Sequence, residues 1–148
     1  MPHTISRTSL ISIIDDDKSV RDGIRNLLRS FGLSAEAFSS AEDFLASAPL
    51  DDVICLILDV VMPRMSGLDL QSRLVLSKRR IPIIFISAHD DAETKKRALG
   101  EGALAFLHKP FHEEALMDAV HSALSSLKGS PLLDPDVAQF LARSKKVG

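Results

Sequence analysis

Residues 53–67 read VICLILDVVMPRMSG, and this stretch decides the fold. Its first six residues, Val53 to Leu58, form an unbroken apolar run, which is typical of a strand covered on both faces of a sheet. The run ends at Asp59, and after a short loop Ser66 is placed to cap a helix. We expect Gly67, together with the loop from Pro63 to Ser66, to allow a tight return from strand to helix. A buried strand that leads into a helix is the repeating unit of α/β folds.

Similar strand-and-helix units lie on both sides of this stretch. Apolar, strand-forming runs occur at residues 10–14, 33–38, 81–86 and 103–107. Predicted helices run from Val20 to a stop at Gly32, from a capping box of Ser39 and Glu42, and over residues 91–101 and 113–127. Five alternating units predict an α/β fold with a five-stranded parallel sheet, helices on both faces and right-handed crossovers.

Length and composition are those of one globular domain with a short appendage. The chain has 148 residues, of which 45% are hydrophobic and 26% are charged. Gly129, Ser130 and Pro131 break the last predicted helix, so we place one domain at residues 1–128 and a tail or linker at residues 129–148. This tail can form one helix between Leu132 and Val147, with Asp134 as its cap.

Charge and hydropathy argue against several classes of partner. The formal net charge is -2 and no basic tract stands out, so we expect no direct nucleic-acid binding by this chain. No apolar run approaches the ~18 residues of a membrane-spanning helix, and residues 1–9 lack the apolar stretch of a signal peptide. We therefore expect a cytoplasmic protein without a membrane partner. The single cysteine, Cys55, lies in an apolar run and is interpreted as core packing.

Polar residues that follow the predicted strands are the candidate site. Asp15, Asp16 and Asp17 follow the first strand, Asp59 ends the third, Ser87 the fourth, and Lys109 comes after the fifth. In an open α/β sheet, ligands bind beyond the carboxyl ends of the strands, so these groups should converge at one edge. Asp17 alone is better interpreted as the cap of the first helix.

The residue types at this edge indicate phosphoryl chemistry. Several carboxylates close together repel each other and need a cation, and Mg²⁺ prefers such oxygen ligands together with phosphate. Lys109 would bind an anion as a point charge, and the Ser87 hydroxyl would donate one hydrogen bond to it. The pattern therefore predicts that Asp59 is a nucleophile that takes up a phosphoryl group.

Four segments in order carry a family resemblance. They are Ile13 to Asp17, Leu58 to Gly67, Ile86 to Ala88, and Lys109 to Phe111. Together they resemble the CheY-like receiver domains of two-component response regulators, which have a flavodoxin-like fold. The resemblance implies that Asp59 is the phosphoacceptor and that Mg²⁺ is held by Asp15, Asp16, Asp59 and the backbone carbonyl of Val61, with Asp16 the more direct ligand of the acidic pair. It also implies roles for Lys109 in phosphate binding, for Ser87 as switch hydroxyl and for Phe106 as switch aromatic, and a cis Lys109–Pro110 bond.

The resemblance also implies partners. A sensor histidine kinase would phosphorylate Asp59, and the chain would have no enzymatic activity beyond its own phosphoryl transfer and dephosphorylation. We predict a weak homodimer through the face formed by residues 91–127. Residues 132–138 resemble the linker of LuxR-type regulators, in which a DNA-binding output domain follows.

Two other functions use some of the same residues. A haloacid-dehalogenase-like phosphatase also has an aspartate nucleophile at a strand end, but it needs a second aspartate two residues later, and that position is Val61 here. A pseudo-receiver that binds partners without phosphorylation is the other alternative, and the complete set of Asp15, Asp16, Asp59 and Lys109 argues against it.

Overall fold

The computed structural model describes residues 9–89, 91–130 and 133–143, and it has the predicted α/β fold. Five parallel strands form one sheet in the order β2-β1-β3-β4-β5. The strands are β1 Leu10–Ile14, β2 Ser34–Phe38, β3 Val53–Asp59, β4 Ile83–Ser87 and β5 Ala105–His108. The helices are α1 Lys18–Ser30, α2 Ala41–Ser47, α3 Gly67–Leu76, α4 Ala92–Gly100, α5 Glu113–Ser125 and α6 Pro135–Arg143.

β3 lies at the centre of the sheet, and all seven of its residues are buried. Alternate residues of a strand point to opposite faces, so Cys55 and Ile57 pack in one core layer while Leu56 and Leu58 pack in the other. Buried residues of α1, α5 and α6 complete the first layer, and buried residues of α2, α3 and α4 complete the second. The continuous apolar run in the sequence thus reflects burial on both faces of β3.

Most predicted helix caps are confirmed, and one was wrong. Ser66 and Asp69 form a complete capping box at the start of α3, and the Asp17 side chain accepts a hydrogen bond from the Ser19 backbone at the start of α1. The cap of α2 is Ser40, one residue after the predicted Ser39. The Ser40 hydroxyl reaches the Asp43 N–H at 3.0 Å, whereas Ser39 bonds to the Asp43 side chain.

The C-terminal helix α6 packs against the sheet's α1 and α5 layer. Its residues Val137, Phe140 and Leu141 are buried, and the Phe140 ring meets Phe31 edge-on with centroids 6.0 Å apart. Asp134 caps the helix by accepting from the Val137 N–H at 2.9 Å, and its other oxygen accepts from the Ser9 N–H at 3.0 Å. The rest of the predicted tail helix, residues 132 and 144–147, lies outside the described residues, and the boundary after residue 128 stays a prediction.

In the described part of the chain, no helix has the length and apolar character needed to cross a membrane.

Candidate functional site

Three aspartates and one lysine meet at the carboxyl edge of the sheet. Asp15 and Asp16 follow β1, Asp59 is the last residue of β3, and Lys109 comes directly after β5. Their positions follow from the strand order, because β1 and β3 are neighbours in the middle of the sheet and both end at this edge. Asp15 is fully buried and Asp59 nearly so, while Asp16 is exposed to solvent.

Lys109 is the counter-charge to the two buried carboxylates. Its ammonium Nζ lies 2.9 Å from Asp15 Oδ2 and 3.6 Å from Asp59 Oδ2. The Lys109 backbone N–H also donates to the Ser87 carbonyl at 2.7 Å, which ties the lysine to the end of β4. The Lys109 side chain therefore extends from the end of β5, at one edge of the sheet, to Asp15 after β1 and Asp59 at the end of β3.

Asp15 is held by groups of α1 as well. Its Oδ1 accepts from the Asp17 N–H at 2.8 Å, and its backbone carbonyl accepts from the Arg21 guanidinium at 2.8 Å. The role of Arg21 is not among the predictions from sequence, although a cation four residues after the helix cap could have indicated a contact back to the strand end. These two hydrogen bonds fix the position of Asp15 at the end of β1.

The electrostatics of the site set the protonation of Asp59. Burial and the nearby charge of Asp15 raise the pKa of Asp59 to about 6, although Lys109 and the Val61 N–H act in the opposite direction. Burial alone would lower the pKa of Lys109, but its hydrogen bond to Asp15 and the charges of Asp59 and Asp15 outweigh burial and raise it. Lys109 is therefore cationic at neutral pH, and it leaves part of the negative charge of the cluster uncompensated.

The three carboxylates can share a cation. Asp15, Asp16 and Asp59 each offer an oxygen, and these oxygens lie within 4.8 Å of one another. The raised pKa of Asp59 is what an excess of negative charge in a partly dry site produces. Hard oxygen donors of this kind, with one carboxylate open to solvent, suit Mg²⁺, which keeps some of its waters.

The loop after β3, residues 60–66, carries the proposed fourth ligand. The Val61 N–H lies 3.4 Å from Asp59 Oδ1, which is long for a hydrogen bond. The Val61 side chain is exposed. The Val60 N–H donates to the Ile86 carbonyl at 3.1 Å, and the Gly67 N–H donates back to the Val60 carbonyl at 2.8 Å. The two ends of the loop are therefore well held, and Val61 is held less tightly.

The tight return at Gly67 depends on the absence of a side chain. Its backbone is not in the left-handed region, so conformational freedom is not the constraint. A Cβ at this position would instead collide with the Asp59 carbonyl oxygen and come within 3.1 Å of the Phe85 ring. The absent side chain lets α3 start directly against the backbone of the candidate nucleophile.

Ser87 is the last residue of β4, and Phe106 lies within β5. The Ser87 hydroxyl is buried and bonds to the His89 backbone, accepting from its N–H at 3.0 Å and lying 3.2 Å from its carbonyl. Phe106 pairs with Phe85 across the two strands, with ring centroids 6.1 Å apart, and its side chain is half-buried. The Lys109–Pro110 peptide bond is cis, as predicted.

Cys55 has no part in this site. It is fully buried in the α1 and α5 layer, and burial raises the pKa of its thiol to about 12. A buried thiol with a raised pKa is not a nucleophile, and Cys55 contributes to the packing of the core.

Comparisons with known proteins identify the family of the chain. The response regulator receiver domain family matches residues 11–121. The response regulator protein TodT of Pseudomonas putida is 48% identical over 122 residues, which cover 82% of this chain and 54% of that protein. The transcriptional regulatory protein TdiR of Thauera aromatica is 42% identical over 117 residues, which cover 79% of this chain and 52% of that protein.

Solved structures agree with the sequence comparison. The structure of the response regulator StyR superposes with a TM-score of 0.74 at 41% identity, over 92% of this chain and 64% of that chain. The chain spans about half the length of the two curated relatives. Because the family match covers most of the chain and the fold and site geometry agree with it, the chain belongs to the receiver domain family of two-component response regulators.

Proposed function

We propose that this receiver is switched by phosphorylation of Asp59 in a Mg²⁺-dependent reaction. The observation that carries the proposal is the arrangement of Lys109, which lies 2.9 Å from Asp15 and 3.6 Å from Asp59 within a cluster of three carboxylates. A cation and carboxylates beside an Asp nucleophile are the parts that phosphoryl transfer needs, because catalysis of this reaction is mostly positioning and charge stabilisation.

Each residue has a role in the proposed reaction. An Asp59 carboxylate oxygen attacks phosphorus and forms an O–P bond, while the bond from phosphorus to the donor breaks and its electrons leave with the donor. Lys109 compensates charge on the transferred group, and it can turn toward Asp59 because only 3.6 Å separates them. In dephosphorylation, a water oxygen attacks phosphorus and forms a new O–P bond while the bond from phosphorus to the Asp59 oxygen breaks. Inorganic phosphate and the Asp59 carboxylate are the products, and the proton of the water passes to solvent.

Mg²⁺ would be held by Asp15, Asp16, Asp59 and the Val61 backbone carbonyl. When bound, the ion neutralises charge on the phosphoryl oxygens. Asp16 is the ligand best placed for exchange with solvent because it is exposed, while Asp15 is buried and already engaged by Lys109.

The proposed switch involves Ser87 and Phe106. The Ser87 hydroxyl would give up its bond with the His89 backbone and donate to a phosphoryl oxygen on Asp59. Phe106 is half-buried beside Phe85, and its ring carries no polar group whose burial would cost free energy. Movement of Ser87 toward Asp59 would therefore let Phe106 turn further inward and change the surface of β5.

The partners follow from the family and from the surface. We propose a sensor histidine kinase as the phosphodonor and a weak homodimer through the face formed by residues 91–127, where Leu99 and Leu104 are 40% and 43% exposed.

TdiR is named as a transcriptional regulatory protein, and we propose that this receiver controls a DNA-binding output domain of the LuxR type. The proposed location is the cytoplasm, with no enzymatic activity beyond transfer to and hydrolysis from Asp59.

The decisive experiment is intact-mass measurement after incubation with acetyl phosphate and Mg²⁺. We expect one phosphoryl group on the wild type and none on Asp59→Asn, and EDTA should abolish labelling. Undiminished labelling of Asp59→Asn would contradict the acceptor, and an unlabelled wild type would favour the pseudo-receiver alternative. The phosphatase alternative has no general acid two residues after Asp59, because Val61 stands there.

A further inference from the structure

Glu42 connects α2 to the loop that follows Asp59, although it lies outside the acidic cluster. Its Oε2 accepts a hydrogen bond from the Met65 backbone N–H at 3.2 Å and lies 3.8 Å from Arg64 Nε. These contacts bridge 23 residues of sequence and join two helical units. They end in the same loop, residues 60–66, that carries the Val61 carbonyl.

The position of Glu42 is set by the packing of α2. Glu42 lies in the first turn of the helix, directly after Ala41, which is fully buried, and two residues before Phe44, which is also fully buried. The Phe44 ring meets Phe38 of β2 edge-on, with centroids 5.5 Å apart. Because β2 runs parallel to β3, the start of α2 lies at the same sheet edge as Asp59. The packing of α2 therefore places Glu42 beside the loop, with its side chain 38% exposed.

Glu42 contacts the part of the loop just before the Ser66 cap, and this part contains a strained residue. Arg64 has a φ of 65°, in the left-handed region that residues with side chains adopt only at a conformational cost. On the Asp59 side, the hydrogen bond seen for Val61 among the described residues is the long 3.4 Å contact of its N–H with Asp59 Oδ1. The Glu42 hydrogen bond to the Met65 N–H holds the loop from the α2 side. The 3.8 Å approach to the largely exposed Arg64 side chain adds little.

We propose that Glu42 is a positioning residue that holds the 60–66 loop so that the Val61 carbonyl can complete the cation site. This rests on the proposed function, because it assumes that the acidic cluster binds Mg²⁺. Glu42 acts through its hydrogen bond to the Met65 N–H, and its negative charge is incidental.

Three variants separate the hydrogen bond from the charge. Glu42→Ala removes both, Glu42→Gln keeps an acceptor oxygen without the charge, and Glu42→Asp keeps the charge on a shorter arm that does not reach Met65. The chain has no Trp or Tyr, so Mg²⁺ affinity is measured by calorimetry and by NMR, with Mg²⁺ alone as the probe. Glu36→Ala is the matched control, since it removes an exposed carboxylate from the edge strand β2.

We expect Glu42→Ala and Glu42→Asp to weaken Mg²⁺ binding by about tenfold, the low end of the losses seen for residues that support a ligand without touching the ion. Glu42→Gln and Glu36→Ala should stay within about twofold of the wild type by the same reasoning. Hydrogen exchange of the Met65 and Val61 amides should speed up in the Ala and Asp variants and not in the Gln variant.

Equal loss of affinity in Glu42→Gln and Glu42→Ala would overturn the proposal, because the charge would then be responsible. Unchanged affinity in Glu42→Ala would overturn it as well. If the wild type itself bound no Mg²⁺, the cation site of the proposed function would fail separately. The loop would then be judged by exchange alone, and a Val61 amide with the same exchange rate in wild type and Glu42→Ala would reject the positioning role.

Discussion

The Lys109 ammonium lies closer to Asp15 than to Asp59, at 2.9 Å against 3.6 Å. The strong partner of the lysine is thus the fully buried carboxylate, and the candidate phosphoacceptor keeps part of its charge without compensation. This asymmetry explains why the pKa of Asp59 is raised to about 6 despite a cation nearby. The carboxylates of the site repel each other, and a bound cation or a proton would reduce this repulsion.

Asp59→Asn should stabilise the metal-free protein at neutral pH. The pKa of Asp59 is higher in the folded state, at about 6, than its ordinary value of 3.8, so the native state binds the proton more tightly than the unfolded chain. The stability that this group contributes is complete below about pH 4 and is lost as the pH rises through 6. With a discount for solvent screening, the gain of Asp59→Asn at pH 7 should be about 1–2 kcal/mol.

Urea unfolding with EDTA at pH 4 and pH 7 measures this effect. The difference between Asp59→Asn and wild type should be small at pH 4 and favour the variant at pH 7. Added Mg²⁺ should raise the stability of the wild type at pH 7, because it binds the native state. A variant less stable than wild type at pH 7 would contradict the electrostatic account.

Asp16→Ala should weaken Mg²⁺ binding much more than Asp17→Ala. Asp16 offers an oxygen to the acidic cluster, whereas the Asp17 side chain is occupied in capping α1 through the Ser19 backbone and hydroxyl. We expect a loss of at least about tenfold for Asp16→Ala and near-normal affinity for Asp17→Ala. Calorimetric titration at pH 7.5 decides, and equal affinities of the two variants would remove Asp16 from the ligand set.

Gly67→Ala should destabilise the fold by about 1–3 kcal/mol, the usual cost of overpacking. The new Cβ would press on the Asp59 carbonyl and the Phe85 ring. Gly23→Ala is the control, because Gly23 lies inside α1 and a Cβ added there would meet nothing within 4 Å. That change should stabilise the protein by about 0.5–1 kcal/mol. Thermal unfolding of both variants tests the contrast, and equal melting temperatures would refute the close-approach explanation.

Phe140→Ala should cost about 3–5 kcal/mol of unfolding free energy, as for other buried aromatic side chains. The Phe140 ring is buried and contacts Phe31 and His121, with centroids 6.0 Å and 5.9 Å away. Gln139→Ala changes an exposed residue of the same helix and should have little effect. If Phe140→Ala behaved like Gln139→Ala, α6 would be a loosely attached tail and the boundary after residue 128 would be supported. A large loss would place α6 within the folded unit.

The sequence by itself determined the alternation of strands and helices and the residues that end each strand. Interactions between residues close in sequence are enough to predict these elements. The residues of a strand buried on both faces, such as β3, are apolar, and Ser66 with Asp69 caps α3 within four residues. The same pattern predicts which groups lie at the sheet edge, since parallel strands end at a common edge. These groups are Asp15, Asp16, Asp59, Ser87 and Lys109.

Only the tertiary structure decided which of these groups pair and what supports them. Lys109 and Asp15 are 94 residues apart, and their contact depends on β5 and β1 lying in one sheet. The role of Gly67 depends on the packing of α3 against Asp59, and that of Glu42 on the packing of α2 beside the loop. Contacts between distant segments carry no local sequence signal, because their free energy comes from burial and proximity that exist only after the chain has folded.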